Sequence, residues 1–299
     1  MENLPKDYFV TSQQFTKNTH RDEYPAINPS SEPLSQAGKV IVITGASKGL
    51  GRLGFAASFA RASPRGIVIV GRNLERLKAT AKEIRDINPE VDVLAVAADL
   101  DDPNSVTALW DKVKARFDTA DVLVNNAGSF APAANVADVK PDVWWSDFQT
   151  NVRGTFLVTQ GFLELLGSQK KGNIINMSTS AALSVFPGLS SYSISKFAVI
   201  QLQAYVAAEY PNVTAVTLHP GIVKTDMTID AFMPFADDTA QLVGGVGVWL
   251  ATEQAKFLSG RYISANWDVE DLVARKDEIQ SQNLLTAGLF GKFGKEQFD

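Results

Sequence analysis

Between Lys39 and Ala265 short apolar runs alternate with amphipathic stretches, and this alternation limits the possible folds more than any other feature of the chain. KVIVIT (39–44), GIVIVG (66–71), VDVLAVAAD (91–99), DVLVNNAG (121–128), NIINMST (173–179), VTAVTLHPG (213–221) and RYISA (261–265) read as strands. GLGRLGFAASFARA, NLERLKATAKEIRDI and PNSVTALWDKVKARF, together with 141–168, 190–209 and 237–254, carry apolar residues at helical spacing. A strand that is apolar along its whole length must be covered on both faces, and parallel neighbours need a long crossover, usually a helix. The pattern predicts an α/β fold: a doubly wound, Rossmann-like parallel sheet forming a single domain over 38–265.

The flanks are different. Residues 1–37 are polar and interrupted by Pro5, Pro25, Pro29 and Pro33, which predicts an N-terminal arm lying over the domain or reaching a neighbouring subunit. Residues 266–299 are expected to form a C-terminal helical tail packed on the domain. The net charge of −5 comes with scattered Lys and Arg rather than a basic stripe, which argues against nucleic acid or an acidic membrane surface as partner. The chain has no cysteine and two histidines, His20 and His219, without ligand-like spacing, so no metal is expected. No window is apolar enough to span a bilayer, the first residues lack a signal h-region, and KEQFD carries neither a prenylation nor a peroxisomal signal. The expected location is cytoplasmic.

The first strand ends in Thr44-Gly45-Ala46-Ser47-Lys48-Gly49-Leu50-Gly51. Glycines there permit positive φ and let the backbone approach a pyrophosphate, which the N-terminus of the next helix would receive. A strand-to-helix turn can need glycine for structural reasons alone. This one closes the first βαβ unit, where a dinucleotide belongs.

The spacing is TGxxxGxG. With Asn125-Asn126-Ala127-Gly128 after the fourth strand and Tyr192-Ser-Ile-Ser-Lys196 later, the chain resembles the short-chain dehydrogenase/reductase family over about 38–265. The arm, with HRDEYPAINP, and the segment GRYISANWDVEDL are similar to those of fungal members, many of them in secondary-metabolite pathways. The resemblance implies a cofactor-binding set of Gly45, Ser47, Lys48, Gly49, Leu50, Gly51 and Asn126, with Val223 and Thr225 contacting the nicotinamide end. Asn125 is expected to serve the turn.

NAD enzymes usually carry a carboxylate at the end of the second strand to bind the ribose hydroxyls. Here that place holds Gly71, followed by Arg72. A small residue leaves room for a 2′-phosphate, and Arg72 and Lys48 could pair with it, although both could also be plain surface charges. The expected cofactor is NADP. Asp99, after the third strand, reads either as the family's acidic residue near the adenine amine or as a helix N-cap for the segment starting at Asp101 or Pro103.

Hydride transfer to a ketone leaves an alkoxide that needs a proton. A tyrosine, with an ordinary pKa of about 10, can give it if a neighbouring cation brings that value down. Tyr192 and Lys196 stand four apart in a helical stretch and therefore share a face. The resemblance makes Tyr192 the general acid/base and gives Lys196 two tasks, lowering the tyrosine's pKa and holding the nicotinamide ribose. It makes Asn151 the asparagine that interrupts a helix and anchors a water leading to the lysine. The family's carbonyl-orienting serine falls on Thr179, between Ser178 and Ser180, and a shift of one residue would present either serine instead. His219 reads as structural, at a strand end.

These features predict an NADP-dependent oxidoreductase acting on the carbonyl or secondary alcohol of a small, hydrophobic metabolite. A same-fold enzyme of non-redox chemistry, and a cofactor-binding scaffold with little turnover, are the rival readings. The loop Ala181–Leu189 and the segment DMTIDAFMPFADD are expected to face the substrate, the latter as a lid or as packing. A homodimer or homotetramer is implied by the family, with Trp144, Trp145 and Phe148 in the core or at the interface.

Overall fold

A computed structural model describes residues 4–289, 291 and 293–295. The strands are β1 (Val40–Thr44), β2 (Gly66–Gly71), β3 (Asp92–Ala97), β4 (Val122–Asn125), β5 (Gly172–Met177), β6 (Val213–His219) and β7 (Tyr262–Ser264). They form one parallel sheet in the order β3-β2-β1-β4-β5-β6-β7. The α/β, Rossmann-like architecture expected from the alternating pattern is the architecture found.

Strand alternation divides the core in two. Ile41, Ile43, Ile67 and Ile69 pack on one face with Phe55, Phe59, Leu242 and Trp249. Val40, Val42, Val68 and Val70 pack on the other with Leu109, Val113, Val158 and Phe162. Every residue of β1 is buried, which is why this strand shows no polar alternation.

The helices are α1 (Tyr8–Thr11), α2 (Ala57–Arg61), α3 (Leu74–Ile87), α4 (Pro103–Phe117), α5 (Pro141–Asp147), α6 (Thr155–Leu166), α7 (Ser190–Glu209), α8 (Ala240–Leu250), α9 (Val269–Ala274) and α10 (Lys276–Ser281). Two wider, π-type turns adjoin them: Gly51–Ala56 leads into α2, and Phe148–Gly154 joins α5 to α6. Side chains fix several starts: Asn73 accepts from the Arg76 amide at 3.0 Å, and Asp102 from the Asn104 amide at 3.0 Å. Among the described residues, no helix is long and apolar enough to cross a membrane.

The arm lies over the domain. Thr19 bridges Trp267 in antiparallel fashion, the Trp267 indole donates to the Gln13 carbonyl at 2.8 Å, and the Arg275 guanidinium sits 3.8 Å over the Phe15 ring. Ile27 and Leu34 are fully buried in the same core as β1, so residue 37 is not a packing boundary despite the polar composition before it. The tail is helical only in part. α10 ends at Ser281, and Asn283 and Leu285 adopt positive φ, which ends regular helix there. Residues 1–3 of the expected arm, and 290, 292 and 296–299 of the expected tail, lie outside the described residues.

Candidate active site

Sheet order places β1 between β2 and β4, so the chain changes the direction in which the sheet grows, and a crevice opens above the C-terminal ends of β1 and β4. The glycine turn lies there. Gly45 has φ +65°, and a Cβ on Gly51 would lie 2.3 Å from the Gly45 carbonyl oxygen. Asn126 braces the turn: its side-chain amide donates to the Thr44 carbonyl at 2.9 Å and the Gly45 carbonyl at 3.2 Å, while its backbone N–H donates to Thr44 Oγ1 at 3.0 Å. The turn's outer side is open, since a Cβ on Gly49 would meet only Thr225 Cγ2 at 3.9 Å. The helical turn that follows has no side-chain cap. An open glycine cradle leading into uncapped amides fits a phosphate group.

Asn125, expected to serve the turn, does not. Its amide donates to Asn176 Oδ1 at 2.7 Å and Thr159 Oγ1 at 3.0 Å, within the buried side of the sheet. As the last residue of β4 it points to the opposite face from Asn126, because strand side chains alternate.

At the outer rim Ser47 Oγ lies 3.5 Å from where a Cβ of Gly71 would stand, and Arg72 is exposed. Lys48 is already paired, with Asp226 at 2.8 Å. That ammonium, helped by the charge of Arg76, holds the Asp226 carboxyl below its ordinary pKa. Arg76 is thus a further cation at this rim that sequence reasoning missed. Asp99 is not the N-cap of α4; Asp102 fills that place, and Asp99 Oδ1 instead accepts the Asp101 amide at 3.1 Å.

Tyr192 and Lys196 lie on the first turns of α7, with the Lys196 ammonium 6.0 Å from the Tyr192 ring centre. Lys196 is buried and donates to the Met177 carbonyl at 3.0 Å. Burial lowers its pKa to about 8 against an upward pull from Asp147. The expectation that Lys196 draws Tyr192 down is not met in this arrangement. Burial, and next to it the Asp147 charge, raise the phenol to about 12. The ammonium turns towards the Met177 carbonyl, and the charge acting on the phenol is a carboxylate.

Asn151 lies in the π-type turn Phe148–Gly154, where the helix register slips and frees its side chain inward. Its side-chain Oδ1 accepts the Ser129 amide at 2.9 Å, and its Nδ2 donates to the Ser129 carbonyl at 3.0 Å and Ser195 Oγ at 2.9 Å. A Cβ on Gly128 would stand 3.1 Å from Asn151 Oδ1 and 3.2 Å from Lys196 Nζ, so the two polar groups face one point on the backbone.

The three candidate hydroxyls differ in what they have left to give. Ser178 Oγ donates to the Lys196 carbonyl at 3.2 Å, which commits its proton. Thr179 Oγ1 accepts the Ala181 amide at 3.2 Å and keeps its own proton available. The Ser180 amide donates to His219 Nδ1 at 3.3 Å, and the Ser180 hydroxyl, like that of Thr179, keeps its proton available. All three residues, with Leu50, Tyr192, Val223 and Thr225, line one cavity of about 190 Å³. His219 also lines it, and burial lowers its pKa to about 4, so the ring that accepts from Ser180 is neutral.

Two further features of the site escaped the sequence. Asp147 is fully buried, yet its carboxylate accepts from Ser129 Oγ at 2.9 Å, the Ala131 amide at 3.0 Å and Ser191 Oγ at 2.9 Å. It thereby ties the loop after β4 to the start of α7. The only signal was an acidic residue amid the aromatic run WWSDF. The second feature is Phe9, from the arm, in the cavity wall. From the two stretches expected to face substrate, Ala181, Phe186, Leu189, Met227, Ile229 and Phe232 also line the cavity. Of the tryptophans, Trp145 is exposed rather than in the core. Among the described residues no group of three or more His, Asp or Glu side chains is placed to hold a metal ion.

Comparison with known proteins agrees with this geometry. Residues 39–233 match the family model described as short chain dehydrogenase. The chain is 35% identical over 285 residues to short chain dehydrogenase citE of Monascus ruber, spanning 91% of this chain and 95% of that one. It is 34% identical over 275 residues to short chain dehydrogenase andI of Emericella variicolor, spanning 89% and 93%. Among solved structures, a short chain dehydrogenase from Salmonella enterica superposes with a TM-score of 0.73 at 26% identity, over 81% of this chain and 99% of that one. One from Shigella flexneri, complexed with NADP, gives 0.72 at 26% identity over 79% and 99%. With the family's fold, its glycine turn and its Tyr-xxx-Lys helix in one crevice, this chain belongs to the short-chain dehydrogenase family of oxidoreductases.

Proposed function

We propose that the protein is an NADPH-dependent reductase that converts the carbonyl of a small apolar metabolite to a secondary alcohol, in a secondary-metabolite pathway of the kind its fungal relatives suggest. The observation that carries this reading is the convergence of Tyr192 and Thr179 on a cavity next to an open glycine cradle, with the buried Lys196 ammonium 6.0 Å from the Tyr192 ring centre. Bound NADPH would supply the hydride to the carbonyl carbon. Gly45, Ser47, Gly49, Leu50, Gly51 and Asn126 would line its phosphates and adjoining ribose, with Val223 and Thr225 at the nicotinamide end and Asp99 near the adenine.

Tyr192 gives its phenolic proton to the developing alkoxide. With a pKa of about 12 it is fully protonated at neutral pH, the state a reduction needs. Thr179 donates its free hydroxyl proton to the substrate oxygen and so fixes which face of the carbonyl is presented. Lys196, charged below its pKa of about 8, would hold the nicotinamide ribose of the bound cofactor, and Asn151 holds the Ser129 backbone and Ser195 in place.

NADP rather than NAD is favoured by Gly71 in place of a carboxylate and by the cations Lys48, Arg72 and Arg76 at the rim; the NADP complex of the Shigella relative supports it. Exposed Phe156, Ile194, Phe197 and Tyr205 on α6 and α7 favour a homodimer through these helices. The test is calorimetric titration with NADPH and NADH, repeated on Arg72→Ala. Tight NADPH binding, weak NADH binding and a loss of about tenfold in that preference, the size of one charge-assisted phosphate contact, are expected. Binding of neither nucleotide would overturn the reading.

A further inference from the structure

We infer that Phe9, on the N-terminal arm, is a specificity-determining residue of the substrate pocket, and that arm and lid together form an aromatic clamp for a fused-ring aromatic ketone. This rests on the reductase reading and names its substrate class. The polar, proline-broken arm gives no hint of such a role, yet α1 brings Phe9 into the wall of the cavity that contains Tyr192 and Thr179. Its ring meets Phe232 edge-on at 5.4 Å and Phe235 at 4.9 Å, and Phe232 in turn meets Phe186 at 5.8 Å. Phe130 packs edge-on against the Tyr192 ring at 4.9 Å. The cavity is therefore bounded by rings from four separate segments, next to the phenol that donates the proton.

The arm is also fastened where it matters for closure. Arg21 donates to Asp238 at 2.7 Å and to the Phe235 carbonyl at 2.7 Å, at the end of the lid. The same Asp238 accepts the Ile222 amide at 2.6 Å, in the segment that lines the cavity. The arm thus grips the lid by an ion pair at one point and by ring packing at another, and Phe9 is held as part of the wall. Flat aromatic guests suit such walls, because edge-to-face and offset contacts add to simple burial. The cavity is about 190 Å³, and Val223 and Thr225 give part of its wall to the nicotinamide end of the cofactor, so the substrate's share suits a compact fused-ring guest better than an extended ligand.

The test compares wild type with Phe9→Ala and Phe9→Leu, using β-tetralone, a fused-ring ketone, and cyclohexanone as probes. Kd is read by calorimetry on the NADP+-saturated protein, and steady-state constants are read with NADPH. For β-tetralone, Phe9→Ala is expected to raise both Kd and KM about tenfold. It should leave cyclohexanone, kcat and the NADP+ Kd within about twofold, with Phe9→Leu intermediate. Equal losses for both ketones together with weakened NADP+ binding would mean that Phe9 merely holds the fold, and would overturn the inference. Unchanged β-tetralone binding in Phe9→Ala, or no binding of β-tetralone by wild type, would overturn it as well. Wild type that binds β-tetralone with the expected Phe9 dependence but never oxidises NADPH would leave the clamp standing and sink the reductase reading.

Discussion

The two halves of the crevice are made in opposite ways. The glycine turn is a contiguous stretch, Gly45 to Gly51, braced by Asn126 on one side and by the Thr80 hydroxyl on the Ala46 carbonyl, and its function lies almost wholly in its backbone. The substrate side is assembled from Phe9, Phe130, Phe186 and Phe232, side chains far apart in sequence that the fold brings to one cavity. A backbone site of this kind tolerates change around it but little change within it. A side-chain wall can be altered one residue at a time without disturbing the fold, which suits one scaffold to many substrates.

If the halves are separable, removing the chemistry should leave the cradle intact. Tyr192→Phe deletes only the phenolic oxygen, which donates no hydrogen bond within the chain among the described residues, so the packing with Phe130 should survive. Turnover should fall about 10³-fold, the scale of a positioned general acid, while the NADPH Kd stays within about twofold. A Tyr192→Phe variant that also lost NADPH binding would show the halves to be coupled.

A smaller effect distinguishes the substrate side by its response to acid. His219 is buried and neutral, with a folded pKa of about 4 against an ordinary value of 6.5. A depressed histidine pKa means that the unfolded chain binds the extra proton first. Stability is then fully present above pH 6.5 and is lost as pH falls from 6.5 towards 4. The gap corresponds to about 3 kcal/mol at the low end of that window. His219→Gln keeps an acceptor for the Ser180 amide but cannot titrate. Urea unfolding from about pH 7 to about pH 4 should show a shallower decline in the variant than in wild type. Parallel curves would mean that the ring is not the buried proton-excluding group inferred from its place beside Ser180.

The same contrast explains what could be read from the sequence. The strands were legible because a parallel sheet buries whole runs, and KVIVIT or GIVIVG has little other use. The glycine turn and the Tyr192–Lys196 spacing were legible because each is local and its spacing is fixed by geometry. The cap role read for Asp99 and the turn role read for Asn125 were misplaced locally, since a cap and an Asx turn use the same residue types and a strand end leaves the facing direction open. Asp147 and Phe9 were invisible for a different reason. A carboxylate in a helix and a phenylalanine in a polar arm look ordinary until distant segments supply Ser129, Ser191 and Phe232 as neighbours.

The smallest predicted effect tests the backbone half directly by comparing two glycines of the same crevice. A Cβ on Gly51 would fall 2.3 Å from the Gly45 carbonyl oxygen and 2.6 Å from the Asn126 amide nitrogen. The first of these is main chain and cannot swing away, so the turn itself must shift. A Cβ on Gly71 would meet Ser47 Oγ at 3.5 Å, an ordinary contact. Gly51→Ala is therefore expected to cost about 2 kcal/mol of stability, as overpacking does, and to weaken NADPH binding with it. Gly71→Ala should stay within about 0.5 kcal/mol of wild type. Urea unfolding of both variants, with NADPH titration alongside, gives the comparison. If the two alanines cost the same, the close approach of Gly51 to Gly45 is not what the turn requires, and the glycines would have to be explained by the open face towards Thr225 alone.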